Sequence, residues 1–372
     1  MNSIEITDNN AEMIEIGKAI MEEKSNIYTD RIVDTIKAKI NKQMPSADDK
    51  EKEEALYLSI YDYWVYGNNI GEEFYLYFRD KTHEEKNKYM TFRNRYLYTL
   101  YLNKDADHSI LQDKYKAYKK LKKYYKRDVI EISSEDDFET FKAFVEKHRT
   151  FVVKPADLGL AIGVHKETVS EDQDLYKVFT GILEEGKANL ANNPWGKKNS
   201  IVIEEVIKQS QVMADFHPES VNSVRVTAVR VDGQVHIWYP WLKIGINGGF
   251  VTSAAFDTLD AGIDAKTGVV TTDAYDENCN CFVEHPNTKI KFKDFQIPRW
   301  DELIKTINEI SDVIPEFGYV GWDMVLTDDG WVVMEGNVSG EFMGQLVNGF
   351  GVKEEFEKLI GWKPDKEFWW SK

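Results

Sequence analysis

Residues 321–342 read GWDMVLTDDGWVVMEGNVSGEF. Two apolar runs flank Asp328-Asp329-Gly330, which fits a three-residue hairpin loop with glycine in the left-handed position. That loop makes Thr327 face Trp331, and counting back along the ladder sets Asp323 directly opposite Glu335. Side chains two residues apart share a face, so Asn337 joins them. Cβ atoms of an opposed pair lie roughly 4.5–5.5 Å apart, and like charges there are destabilising. The pattern therefore predicts a cation between the two carboxylates.

That cation should be hard, because Asp323, Glu335 and Asn337 all offer oxygen. Mg²⁺ takes one or two carboxylates and fills its shell with water and substrate phosphates. Two carboxylates also suit a glycosidase acid/base pair, and a solvated polar face is the plainest reading. The amide in line with Glu335 favours metal and phosphate, and the apolar flanks disfavour simple solvation.

The 372 residues suggest two or three domains, and 42% hydrophobic content with 13% aromatics suffices for sizeable cores. A net charge of −17 argues against nucleic acid as the main partner, while leaving room for a local basic pocket. The opening MNSIEITDNNAEM lacks the basic and apolar regions of a signal peptide, and no apolar run approaches a spanning helix. Cys279 and Cys281 make no disulfide framework, and with His285 they do not complete a zinc site. A cytoplasmic protein is expected, with no membrane insertion.

Composition changes near residue 128. Before it, helix formers dominate and Pro45 is the only proline. MPSADDKEKEE leads into an aromatic-dense helix from Glu54. ILQDKYKAYKKLKKYYKR carries an apolar stripe of Leu111, Tyr115, Tyr118 and Leu121 on one amphipathic helix. Beyond 128 the pattern alternates: strand DVIEIS, a Ser134/Asp137 capping box opening a helix, strand FVVKPA, a glycine-containing stretch, helix DLYKVFTGILEEG and strand SIVIEEVI. Next come VNSVRVTAVRV, a turn at Asp232-Gly233, QVHIWYPWLKIG and the β-rich GGFVTSAAF. Helix WDELIKTINEISDVI leads into the hairpin, and VKEEFEKLIG forms a last helix. Strands and helices mix without βαβ regularity, which predicts α+β lobes behind a helical N-terminal region.

Phosphates brought by Mg²⁺ would need cations. Lys154 lies in an apolar strand, where a lysine is costly to bury unpaired, or snorkels at a strand end. Gly159 and Gly163 follow in a loop able to present backbone amides. Arg225 and Lys243 sit in apolar strands and suit either phosphate or a structural carboxylate. The acidic end of IVIEEV offers a hinge for adenine, with Glu204 or Glu205 for ribose.

Together these pieces resemble the sugar-transfer-associated ATP-grasp family from about Asp113 to Gly361. The resemblance is carried by FVVKPADLGLAIGV, HPESVNSVRVTAVRV, LKIGINGGFVTSAAFDTLDAGIDAKTG and GYVGWDMVLTDDGWVVMEGN. It implies two α+β lobes gripping ATP, a small lobe over 128–206 and a large lobe over 207–372, while the helical region over 1–127 matches the family only in its general helical character. It further implies Lys114 and Lys154 on the nucleotide, the glycine loop as a lid, Glu204, Glu205 and Val206 at the adenine hinge, and Arg225 on phosphate. Asp323, Glu335 and Asn337 match the acidic residue and E-x-N that hold Mg²⁺. Lys243 stands where related sequences often carry arginine, and lysine cannot clamp bidentately.

The resemblance implies an ATP-dependent ligase that activates a carboxylate as an acyl phosphate and joins it to an amine or hydroxyl. The product would belong to surface-glycan or amino-acid-conjugate biosynthesis, the glycan part being implied by the family's name alone. Arg225 and Lys243 would face the acid. A small-molecule or sugar kinase, and an interaction protein with a vestigial ATP site, are the alternatives.

Overall fold

The computed structural model describes residues 4–193, 195–248, 258–340 and 343–364. The chain forms two compact units. One gathers residues 1–101 and 341–372 with residues 278–280, and the other contains 102–277 and 281–340.

The first unit is helical. Helices Asn10–Glu23, Asp30–Gln43 and Asp49–Tyr66 open it. Asp48 and Glu51 form a capping box at the start of the third, where the acidic DDKEKEE run meets the aromatic one. As expected, the aromatics build core: Tyr61, Tyr66, Phe78 and Tyr89 are buried together. A Lys86–Asp62 ion pair, almost fully buried, lies among them.

The second unit holds two antiparallel sheets. The smaller has strands β1 (Val129–Ile132), β2 (Thr150–Pro155), β3 (His165–Thr168) and β4 (Ile201–Glu205) in the order β1-β4-β2-β3. Strand alternation sorts its residues. Phe151, Val153, Ile201 and Ile203 pack with Phe141, Phe144, Phe179 and Ile182 of helices Phe138–Lys147 and Leu175–Asn192. Val202 belongs to the core of the larger sheet instead, and Lys154 and Glu204 share its face by the same period of two.

The larger sheet has β5 (Ser223–Val231), β6 (Gln234–Gly245), β7 (Thr258–Ile263), β8 (Val270–Tyr275), β9 (Cys281–Phe282), β10 (Tyr319–Thr327) and β11 (Gly330–Asn337). Its order is β11-β10-β5-β6-β7-β8-β9. Val224, Val226, Leu242, Ile244, Leu259, Trp322, Met324 and Val333 form an apolar face with helices Lys114–Tyr125 and Trp300–Val313. The residues between them in sequence, including Arg225, Lys243 and Asp323, belong to the other face. The sheet thus has one dry side and one side bearing charge.

Two expectations are corrected. The hairpin loop has two residues, because Thr327 pairs with Gly330 and Leu326 with Trp331. A bulge beside Met324 then inserts Met334, and this extra residue restores Asp323 opposite Glu335. The Leu111–Leu121 stripe is not one helix. Asp113 takes an extended conformation and caps a new helix by accepting from the amides of Tyr115 and Lys116. The β-rich reading of GGFVTSAAF falls almost wholly on residues 249–257, outside those described, while β7 and β8 were not anticipated. No helix among the described residues is long and apolar enough to cross a membrane.

Candidate active site

The charged side of the larger sheet is assembled by register. Asp323 on β10 faces Glu335 on one side and Arg225 on the other. Asn337 lies opposite Gly321, one pair further on this face. Lys243 on β6 pairs with Ser223 of β5 and Asp260 of β7.

Arg225 grips Asp323 with two parallel hydrogen bonds, Nε to Oδ1 at 2.7 Å and Nη2 to Oδ2 at 2.9 Å. Lys243 Nζ lies 3.8 Å from the same carboxylate, and Asn337 Nδ2 donates to it at 3.4 Å. Burial pushes the Asp323 carboxyl up, but Arg225 and Lys243 outweigh that and hold it below the usual carboxylate range. The cation expected beside Asp323 is thus supplied in part by the chain itself. Glu335 is more open: its side chain is 39% exposed and lies 3.8 Å from Lys114 Nζ.

The oxygen set still fits a hard divalent ion. A carboxylate has about four lone-pair sites, so Asp323 can accept from Arg225 and bind a metal together. Asn337 spends its NH₂ on Asp323 and the Gly321 carbonyl, which leaves its amide oxygen for a ligand role.

On the smaller sheet, Lys154 Nζ donates to Glu204 Oε2 at 3.0 Å. Arg127 donates to the same oxygen from Nε at 3.0 Å and Nη2 at 2.8 Å, and from Nη1 to the Val333 carbonyl at 2.6 Å. Arg127 therefore ties Glu204 to strand β11, two residues from Glu335. Burial raises the Glu204 carboxyl, yet Arg127 and Lys154 hold it at about 2. Glu205 is half-buried, and its carboxylate accepts from the Asp128 amide at 3.1 Å. Val206 follows, also half-buried.

Lys114 begins its helix with its amide on the Ala156 carbonyl at 2.8 Å and its Nζ on the Leu158 carbonyl. It joins the glycine loop to Glu335. In that loop Gly163 has φ +69°, and a Cβ there would lie 2.7 Å from Asn189 Nδ2 and 2.9 Å from Pro155 Cγ, so glycine is favoured. Gly159 has open space around it and no such constraint. Leu160 and Ala161 also adopt left-handed φ, and Leu160 is 77% exposed. Residues 157–164 carry two turn hydrogen bonds, Ile162 to Gly159 and Val164 to Ala161. Amides 157–164 are expected to exchange fast in the free protein and several-fold slower with Mg-ATP. Unchanged exchange would remove the lid role.

Two residues of this constellation escaped sequence reasoning. Arg127 sits in the basic run KKLKKYYKRD, where nothing distinguishes it from solvated lysines. Asp260 is a buried carboxylate beside Lys243, and its signal was an acid inside the apolar TLDAGI. His217 and His285 are both buried. His217 Nδ1 meets Ser220 Oγ at 2.8 Å, and His285 Nε2 meets the Gly245 carbonyl at 3.0 Å, so both imidazoles have partners within the fold.

The family model described as sugar-transfer associated ATP-grasp matches residues 93–360. No curated protein matches the chain. Among solved structures, D-alanyl-alanine synthetase A from Vibrio cholerae O1 biovar eltor is similar at 15% identity and TM-score 0.37, with 66% of each chain covered. D-alanine–D-alanine ligase from Bacillus anthracis is similar at 16% identity and TM-score 0.36, covering 67% of this chain and 63% of that one. L-amino acid ligase from Bacillus licheniformis is similar at 14% identity and TM-score 0.40, covering 66% of this chain and 46% of that one. The chain thus spans less than two thirds of the length of each, and likenesses this loose say nothing of its chemistry.

Proposed function

The chain belongs to the sugar-transfer associated ATP-grasp family, and from that membership we propose an ATP-dependent ligase that joins a carboxylic acid to an amine or hydroxyl acceptor. Its second unit is the ATP-grasp fold of two α+β lobes. The observation that carries the reading is Asp323 set between Glu335 and Arg225, with Asn337 and Lys243 beside it.

In this reading Lys114 and Lys154 bind nucleotide phosphates, and the loop with Gly159 and Gly163 covers them. Glu204, Glu205 and Val206 form the hinge for adenine and ribose. Asp323, Glu335 and Asn337 would hold Mg²⁺, which when bound supplies charge neutralisation to phosphate oxygens. Arg225 and Lys243 hold the carboxylate of the acid. One of its oxygens attacks the γ-phosphorus and ADP leaves. The acceptor then attacks the carbonyl carbon, phosphate departs and the acceptor loses its proton. A carboxylate is already ionised at neutral pH, so the first step needs positioning and positive charge rather than a general base.

ADP release is therefore expected to depend on an added carboxylic acid, and hydroxylamine should trap the acyl phosphate as a hydroxamate. A stable phosphate ester formed from an alcohol or sugar, with no carboxylate required, would make the protein a kinase. The sugar-transfer association in the family description is what supports a role in surface-glycan biosynthesis.

A further inference from the structure

Beyond Arg225 the charged side of the larger sheet carries polar groups that the metal and phosphate chemistry does not use. Ser223, Lys243 and Asp260 stand in register across β5, β6 and β7, with about 4.8 Å from strand to strand. Their sequence neighbours Val224, Leu242, Leu259 and Ala261 lie in the apolar core. All three side chains therefore leave on the charged side, by the period of two. Trp241 joins them: it pairs with Arg225, whose guanidinium carbon lies 5.7 Å from its ring centroid.

Two of these residues are buried with their hydrogen-bonding atoms idle. Ser223 is fully buried and Trp241 nearly so, yet Ser223 Oγ and Trp241 Nε1 have no hydrogen-bond partner among the described residues. A buried polar atom forfeits its hydration and is normally given a partner. An idle indole alone decides nothing, since Trp322 Nε1 has no partner in the apolar core either, among the described residues. Here the idle hydroxyl and indole are the register partners of two cations, Lys243 and Arg225. Cations beside idle donors suit a carboxylate, because the indole N–H can only donate and the hydroxyl can do so too. On the far side of Lys243 the sign reverses, at the buried carboxylate of Asp260.

We infer, building on the ligase reading above, that the acid is an α-amino acid: its carboxylate meets Arg225, Lys243 and Ser223, and Asp260 accepts from its ammonium. Carboxylate and ammonium hang from one carbon, so the groups that bind them must be close neighbours, as residues in register on adjacent strands are. The ammonium selects the substrate and takes no part in phosphoryl transfer. A simple carboxylic acid would make no use of Asp260, and a simple amine would make no use of the cations. A carboxylate that served only to neutralise Lys243 would treat all acids alike, whereas an ammonium site tells an amino acid from its counterpart without the amine.

Calorimetric titration of the full chain, with and without Mg-ADP, tests this with the L and D forms of alanine, serine, glutamate and lysine. Each is compared with the acid lacking only its α-amino group and with its N-acetyl derivative, which keeps the carboxylate but not the α charge. At least one amino acid is expected to bind tenfold or more tighter than both counterparts, a contrast that needs no variant. Asp260→Asn should erase that preference, and Ser223→Ala should weaken the amino acid and the des-amino acid together, at least threefold, with melting curves showing that each variant folds. No amino acid preferred over its counterparts, or a preference that persists in folded Asp260→Asn, would overturn the proposal. ADP release is read separately. A binding preference without ADP release would remove the ligase reading and leave the amino-acid site standing, whereas ADP release at equal rates on des-amino acids would keep the ligase and remove the site.

Discussion

Asp323→Asn is expected to lose both turnover and stability, whereas Glu335→Gln should lose turnover alone. Opposed carboxylates by themselves predict that neutralising either one relieves repulsion and leaves the fold intact or firmer. The tertiary contacts reverse that for Asp323, because its carboxylate is buried and clamped by Arg225 with Lys243 nearby. Removing one partner of a buried pair leaves an uncompensated charge and costs about 3–5 kcal/mol. Glu335 is 39% exposed with Lys114 at 3.8 Å, so its amide variant should melt within about 0.5 kcal/mol of the parent. ADP release should fall at least ~10²–10³-fold in both, the usual cost of removing one group that stabilises developing charge. Urea unfolding and an ADP assay separate the two effects. Parental turnover in Asp323→Asn would remove it from the catalytic site, and parental stability would show that the Arg225 clamp contributes nothing.

Glu204→Gln is the second large effect, and its signature is pH-dependent. Glu204 is buried, with Arg127 and Lys154 holding it at about 2. An ordinary glutamate titrates near ~4.3, so this depression corresponds to about 3 kcal/mol. The folded value lies below the unfolded one. The contribution is therefore complete above about pH 5 and is lost as pH falls from ~4.3 through ~2. The variant should unfold at lower urea than the parent at pH 7, and the gap should narrow towards pH 2.5. A constant gap across that range would mean that Glu204 acts by packing and not by charge. Because Arg127 also reaches the Val333 carbonyl, the loss should spread to β11 and slow turnover.

Local pattern was enough for most elements. The Ser134 capping box, the Asp232-Gly233 turn and the helix with Trp300, Leu303, Ile307 and Ile310 on its buried stripe are all present. Each is a short-range matter of caps, left-handed positions or periodicity, which neighbouring residues settle among themselves. The α+β class and the helical N-terminal region were legible for the same reason. Even the Asp323–Glu335 opposition was legible, although a loop one residue shorter and the Met334 bulge compensate to produce it.

The partners of the charges were not legible. Sequence determined that Asp323, Glu335, Asn337, Arg225, Lys243 and Lys154 point out of apolar strands, because alternation fixes the face. It could not say that β10 lies beside β5, which sets Arg225 against Asp323 across 98 positions of chain. Nor could it say that Arg127, one cation in a basic run, would close on Glu204 and strand β11. It likewise gave no sign that residues 341–372 share a compact unit with residues 1–101. Strand order and long-range ion pairing depend on which faces are buried together, a property of the assembled core that no local stretch encodes. The sequence determined which groups carry charge into the fold, and the tertiary structure decided which of them meet.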